Sequence, residues 1–241
     1  MNRLTRDSKA ALTLATALAT LFLFPLPFHA QSPEVQQRLA ELKQASAANK
    51  QKLAHYTWQE QQTTSIKGEV KKQEIFQVTV GPDGQLQKTP IGGSQAPPPS
   101  GGGRLKHHIV EKKTAEFKDY GEQIADLAKQ YTQPDPAKLQ QAFEAGNVSL
   151  QSGGGAGIAT VVVKNYIKPN DSVTFTFNRQ QKAIQSVRVS TYLDDPKDAV
   201  TIAAQFGKLP DGTNHVSSTQ INGESKQLVV VTQNSNYQPA A

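Results

Sequence analysis

The sequence predicts an α+β protein with a wide antiparallel sheet of roughly nine to eleven strands, curled into an open half-barrel with about three helices on its concave side. Three observations predict this fold. Apolar residues recur at helical spacing in three segments, most other segments alternate apolar and polar residues, and tight-turn sequences join several C-terminal segments. A sheet this wide tends to curl, and its concave face then forms a hollow.

The first predicted element is a helix. Ser32 is suited to the N-cap and Pro33 to the first helical position, and apolar residues then recur on one face. We expect this helix to run from Pro33 to about Ala54.

Two half-buried strands follow the first helix. From Tyr56 the chain places Trp58 and Glu60 on the opposite face to their neighbours, and after Gly68 a second run alternates in the same way. The apolar face of the second run carries Phe76, Val78 and Val80.

A hairpin turn and a loop are predicted next. Gly81-Pro82-Asp83-Gly84 combines a preset φ at proline with a glycine for the left-handed position. A third strand near Gln85 to Ile91 should then end in a flexible Pro/Gly-rich loop at 92–104, which has nothing to bury.

Two more helices are predicted in the middle of the chain. One runs from about Lys106 to Tyr131 and contains Gly121, which costs about 1 kcal/mol relative to alanine and points to a kink or close packing. The other begins at Asp135-Pro136 and ends at Gly146.

The C-terminal part is predicted to be an antiparallel meander. Its strand segments are Val161 to Tyr166, Val173 to Asn178, Ile184 to Leu193, Val200 to Phe206, His215 to Ile221 and Leu228 to Asn234. Pro210-Asp211-Gly212 and Asn222-Gly223 are interpreted as tight hairpin turns, and Pro169-Asn170-Asp171 as a further connection.

The first thirty residues are interpreted as a signal peptide. Three basic residues precede an apolar run from Ala10 to Leu26, and a cleavage site is predicted after Ala30. The alternative is a permanent membrane anchor, but Pro25 and Pro27 would break its last turn. We therefore expect a periplasmic or secreted protein whose membrane contact is at most peripheral after cleavage.

Length, cysteine content and net charge limit the number of domains and the kinds of chemistry and partner that we expect. The 211 residues that remain of 241 are enough for a single domain at 31–241. The absence of cysteine excludes disulfides, thiolate nucleophiles and thiolate metal sites. The formal net charge of +6 is spread thinly, and the basic doublets lack interleaved aromatic residues, so nucleic acid is not an expected partner.

The sequence contains two groups of residues that could bind a metal. His107 and Glu111 lie one helical turn apart but lack an evident third ligand, and the cluster Asp194, Asp195 and Asp198 reads better as a capped turn than as a calcium loop. Neither a nucleophile elbow nor a phosphate-binding motif is present. We expect no enzymatic activity, no metal and no cofactor, although a pair of carboxylates for a hydrolase stays an alternative.

Five aromatic residues are predicted to face the hollow and to contact a hydrophobic ligand. The alternative is that they are ordinary core residues packed under the helices. They are Trp58, Phe76, Phe175, Phe177 and Phe206.

The order of elements resembles that of the periplasmic lipoprotein-carrier superfamily, the LolA/LolB-like half-barrels. The features that carry the resemblance are the opening helix, the Tyr56-Thr57-Trp58 strand, the step Ile66-Lys67-Gly68-Glu69-Val70 and the central helices before a C-terminal meander. The resemblance implies non-catalytic binding of a lipid, an acylated partner or a lipoprotein in the half-barrel. The alternative is a structural or sensor domain of the cell envelope that binds another protein and has a filled core.

Overall fold

The computed structural model describes residues 48–95, 104–132, 136–152, 157–181 and 183–240. The predicted signal peptide, the start of the first helix and most of the predicted Pro/Gly-rich loop lie outside these ranges. None of the described helices is long and apolar enough to cross a membrane.

Ten strands and three helical segments make up the described chain. The helices are α1 (residues 48–53), α2 (Arg104–Thr132) and α3 (Pro136–Glu144). The strands before α2 are β1 (Tyr56–Ile66), β2 (Glu69–Val80) and β3 (Leu86–Gln95). The strands after α3 are β4 (Val148–Ser152), β5 (Ile158–Lys164), β6 (Ser172–Asn178), β7 (Ala183–Tyr192), β8 (Ala199–Lys208), β9 (Asn214–Gly223) and β10 (Leu228–Pro239).

The strands form one antiparallel sheet in the order β3-β2-β1-β10-β9-β8-β7-β6-β5-β4. The N-terminal hairpins therefore join the C-terminal meander through the pairing of β1 with β10. The sheet curls without closing, and the helices lie on its concave side. The predicted α+β half-barrel is confirmed.

Alternation of apolar and polar residues decides which face of each strand is buried. In β6, Val173 and Phe175 are buried while Thr174 and Thr176 are more exposed, and β8 repeats the pattern with Val200, Ile202 and Ala204 buried. The concave face carries two groups of buried apolar residues. The larger lies under α2 and α3, and the smaller consists of Trp58, Phe76 and Val78.

Several elements differ from the sequence prediction. The strand β4 was not predicted, because its five residues carry only a short alternation before a glycine-rich segment. The strand β3 continues through Gly92 and Gly93 to Gln95, and α2 begins at Arg104, so both ends of the predicted flexible loop at 92–104 belong to regular structure. Residues 96–103 lie outside the described part of the chain.

The prediction of a turn at Asn222-Gly223 was wrong. Both residues lie in β9, and the turn follows at Glu224–Gln227, where Gln227 has a φ of 50°. Gly223 has a different function, because a side-chain carbon there would lie 2.7 Å from the Tyr120 hydroxyl oxygen and would overlap Ile124. The glycine lets α2 approach the sheet.

Candidate ligand-binding hollow

The helix α2 crosses the sheet at one end of the strands, which we call the near end. The Tyr120 hydroxyl donates a hydrogen bond of 2.7 Å to Asp198, in the connection between β7 and β8. Nearly three turns further along α2, the Tyr131 hydroxyl donates one of 2.6 Å to Asp171, just before β6. These two contacts fix α2 over the near end.

Asp171 is the stronger of the two attachment points. Its carboxylate is only 1% exposed and accepts hydrogen bonds from the backbone N–H groups of Tyr166 at 2.6 Å, Ile167 at 2.9 Å and Lys168 at 2.8 Å. Burial, followed by the hydrogen bond to Asp171, raises the pKa of Tyr131 well above its usual value, so the hydroxyl stays a donor. The buried Asp171 carboxylate, which accepts four hydrogen bonds, therefore fixes α2 over the near end of the hollow.

The opposite ends of the strands, the far end, carry apolar side chains that are only half-buried. We call Phe177, Ile184 and Phe206 the half-buried apolar patch. Phe177 and Ile184 are cross-strand partners between β6 and β7, and Phe206 of β8 is the partner of buried Val216 in β9. The concave face thus carries partly accessible apolar surface at the far end in addition to the buried core under α2.

A group of polar side chains lies on the neighbouring strands of the same face. We call Trp58, Glu60, Lys88 and Asn234 the buried polar cluster. Lys88 Nζ lies 2.5 Å from Glu60 Oε1, and each side chain is 2% exposed. Lys88 is opposite Val78 and Glu60 is opposite Phe76, so the ion pair reaches across β2 from β3 to β1.

Burial lowers the pKa of Lys88, and the nearby Glu60 carboxylate opposes this shift. A buried ion pair of this kind is costly to desolvate and needs further hydrogen bonds to its remaining atoms. Those bonds are incomplete here. Within the described ranges, the buried side-chain polar atoms that lack a hydrogen-bond partner are Trp58 Nε1, Glu60 Oε2 and Asn234 Oδ1.

An aromatic row packs beside the buried polar cluster. The rings of Trp58 and Tyr237 stack with centroids 5.4 Å apart, and the ring centroids of His215 and Tyr237 are 4.3 Å apart. Burial raises the pKa of Tyr237, with a smaller contribution from Glu60, and burial lowers the pKa of His215. Both shifts favour the neutral forms of these two rings.

Val216 connects the half-buried apolar patch to the buried polar cluster. Its backbone carbonyl accepts a hydrogen bond of 3.0 Å from Asn234 Nδ2 and one of 3.1 Å from the Tyr237 hydroxyl. Its cross-strand partner is Phe206. The half-buried apolar patch and the buried polar cluster are therefore neighbours on the concave face.

The structure divides the five predicted ligand-contacting residues between these regions. Trp58 and Phe76 are buried in the smaller apolar group, and Phe175 is buried under the helices. Phe177 and Phe206 are half-buried at the far end. Alternation places all five on one face of their strands, and Phe177 and Phe206 are the two of the five whose side chains are not buried.

Sequence reasoning did not single out the rest of the buried polar cluster. The alternation in β1 placed Glu60 on the same face as Trp58, which was the available signal. Lys88 and Asn234 reach Glu60 only through the register of β3, β2, β1 and β10. A charged residue on the apolar face of a predicted strand is the feature that would have indicated this cluster.

The described residues cover the metal-binding candidates of the sequence only in part. In the part of the chain that is described, no group of three His, Asp or Glu side chains is placed to hold a metal ion. The side chains of His107 and His108 lie outside the described set. Asp195 accepts the backbone N–H of Lys197 at 2.8 Å, as the capped-turn interpretation requires.

No protein-family model matches the sequence, and a search of curated proteins finds no significant match.

Proposed function

We propose that the protein binds a hydrophobic or amphipathic ligand, such as a lipid or an acylated partner, in the hollow and without covalent chemistry. The proposal includes export of the chain, so that binding takes place in the periplasm or outside the cell. It rests on the predicted signal peptide for its location and on the concave face for its chemistry.

The observation that carries the proposal is the junction of the half-buried apolar patch with the buried polar cluster. Phe177, Ile184 and Phe206 offer an acyl chain a surface that needs no rearrangement of the core under α2. Such a chain gains about 0.8 kcal/mol for each CH₂ group removed from water. Even partial coverage of a long chain would therefore give useful affinity.

The resemblance to the lipoprotein-carrier half-barrels supports the same function through the order of elements. A domain with a filled hollow that binds another envelope protein is the competing function. It fits the complete burial of Trp58, Phe76 and Phe175 but gives no reason for half-buried aromatic residues at the far end.

A chain-length series tests the proposal. Isothermal titration with methyl decanoate, methyl dodecanoate and methyl tetradecanoate, each below its solubility limit, is expected to show a Kd that falls about fourfold for each added CH₂. The fall should level off once the hollow is filled. Binding that is absent, or independent of chain length, would contradict the proposal and favour the protein-binding domain.

A further inference from the structure

The buried polar cluster contains more hydrogen-bonding capacity than the protein itself uses. Trp58 is 2% exposed and Glu60 is 1% exposed, yet the indole N–H and one carboxylate oxygen are unpaired. Buried polar atoms almost always have a partner, and leaving one unpaired costs free energy. Three unpaired atoms in adjacent positions, all on one face of the sheet, therefore point to a missing partner.

The positions of the three atoms are set by strand register. Glu60 and Asn234 are direct cross-strand partners between β1 and β10, and Trp58 lies two residues before Glu60 on the same face. The amide of Asn234 has a fixed orientation because Nδ2 donates to the Val216 carbonyl. Its Oδ1 atom is therefore a true acceptor without a donor.

The chemistry of the unpaired atoms selects the group that would bind. Glu60 Oε2 and Asn234 Oδ1 need two donors, whereas Trp58 Nε1 needs an acceptor. An anionic group would be repelled by the free carboxylate oxygen, and a cationic group by the Lys88 ammonium 2.5 Å from the other oxygen. An uncharged group with two hydroxyls satisfies all three atoms.

We propose that Trp58, Glu60, Lys88 and Asn234 form a subsite for the uncharged, polyhydroxylated head group of an amphiphile whose acyl chain lies on the half-buried apolar patch. Neighbouring side chains enclose the three unpaired atoms in the unliganded protein, so the head group binds by displacing those side chains. This inference rests on the proposed function, because it assigns the head group of the same ligand. A bound water molecule has the same hydrogen-bonding chemistry as a hydroxyl, and the experiment separates the two sources.

The test compares two probes with the same acyl chain, monolaurin and methyl laurate, by isothermal titration of the full chain. Monolaurin carries two hydroxyls, and methyl laurate carries none. Two hydrogen bonds to buried groups correspond to about a tenfold tighter Kd for monolaurin. Trp58 is the only tryptophan in the chain, so its fluorescence should also change on binding.

Two variants test which protein atoms make monolaurin bind more tightly than methyl laurate. Trp58→Phe keeps an aromatic ring beside Tyr237 and removes the unpaired N–H, and Asn234→Leu removes the unpaired oxygen. Asn234→Leu leaves the Val216 carbonyl with its second donor, Tyr237. Each variant is expected to reduce the preference for monolaurin over methyl laurate, measured as the ratio of their Kd values, at least about threefold. The matched control is Asn222→Leu, on the opposite face of β9, which should leave the preference unchanged.

The outcomes distinguish the two proposals. Equal affinity for both probes in the wild type would overturn the subsite, assign the unpaired atoms to water and leave the proposed function intact. A preference that survives both variants would also overturn the subsite. If neither probe binds the wild type, the proposed function fails and the subsite fails with it. Should Asn234→Leu not fold, Trp58→Phe decides the question alone.

Discussion

Replacing Lys88 by Met is expected to lower the free energy of unfolding by about 3–5 kcal/mol at neutral pH. The substitution removes the cation that lies 2.5 Å from Glu60 and leaves a carboxylate that is 1% exposed without a charged partner. Urea-induced unfolding of wild type and variant, followed by Trp58 fluorescence, measures the difference. The methionine has a similar length and apolar stem, so lost packing contributes little.

Lys72→Met provides the matched control. Lys72 and Glu74 both lie on β2, next to β1, and form an ion pair of 2.8 Å. Their side chains are 44% and 25% exposed. An exposed pair contributes about 0–1 kcal/mol. The double variant Glu60→Gln, Lys88→Met should recover most of the lost stability because no buried charge remains. Equal effects of Lys88→Met and Lys72→Met would show that the Glu60–Lys88 pair is solvated in solution.

Replacing Phe177 by Glu is expected to weaken acyl-chain binding at least about a hundredfold while the chain stays folded. Phe177 is half-buried, so a carboxylate at this position keeps contact with water in the unliganded protein. A bound acyl chain would remove this carboxylate from water, and the desolvation would reduce the free energy of binding. Titration with methyl tetradecanoate measures binding, and circular dichroism with thermal unfolding verifies the fold.

Phe175→Glu is the matched control on the same strand and the same face. Phe175 is 5% exposed and packs in the core under the helices, so an unpaired charge there should unfold the domain. If Phe177→Glu also unfolds the chain, the far end is filled core. If it changes neither folding nor binding, Phe177 lies outside the ligand site.

Most of the fold could be predicted from local patterns. Strands such as β6 and β8 alternate cleanly because one face is buried, and the Gly81–Gly84 turn follows from its sequence, with a φ of 73° at Gly84. The helix α3 begins at Pro136, as its proline predicts. Local chemistry decides these features, so one sequence is enough to predict them.

The errors arose where a distant element decides the structure. Asn-Gly is a strong turn signal, but Gly223 is needed because Ile124 and Tyr120 of α2 pack against it. Asp171 was interpreted only as part of a connection, whereas it holds Tyr131, 40 residues earlier in the chain. Contacts across such separations leave no local pattern in the sequence.

The candidate site also combines features that local patterns predict with features that distant contacts decide. The aromatic residues on the concave face follow from alternation, but their separation into closed core and half-buried patch depends on where α2 crosses the strands. The buried polar cluster depends on the pairing of Lys88 with Glu60, 28 residues apart, across an intervening strand. Neither the position of the helix nor this register can be read from one segment.

The central claim is that the hollow holds an amphipathic ligand. Its most direct test is native mass spectrometry, with solvent extraction, of the full-length gene product expressed with its own N-terminus and purified from a bacterial periplasm without detergent. We predict a polypeptide that has lost residues 1–30 and carries a stoichiometric lipid or acylated molecule, which extraction identifies. A protein without ligand that also takes up no added fatty acid or phospholipid would contradict the claim and leave a partner-binding envelope domain.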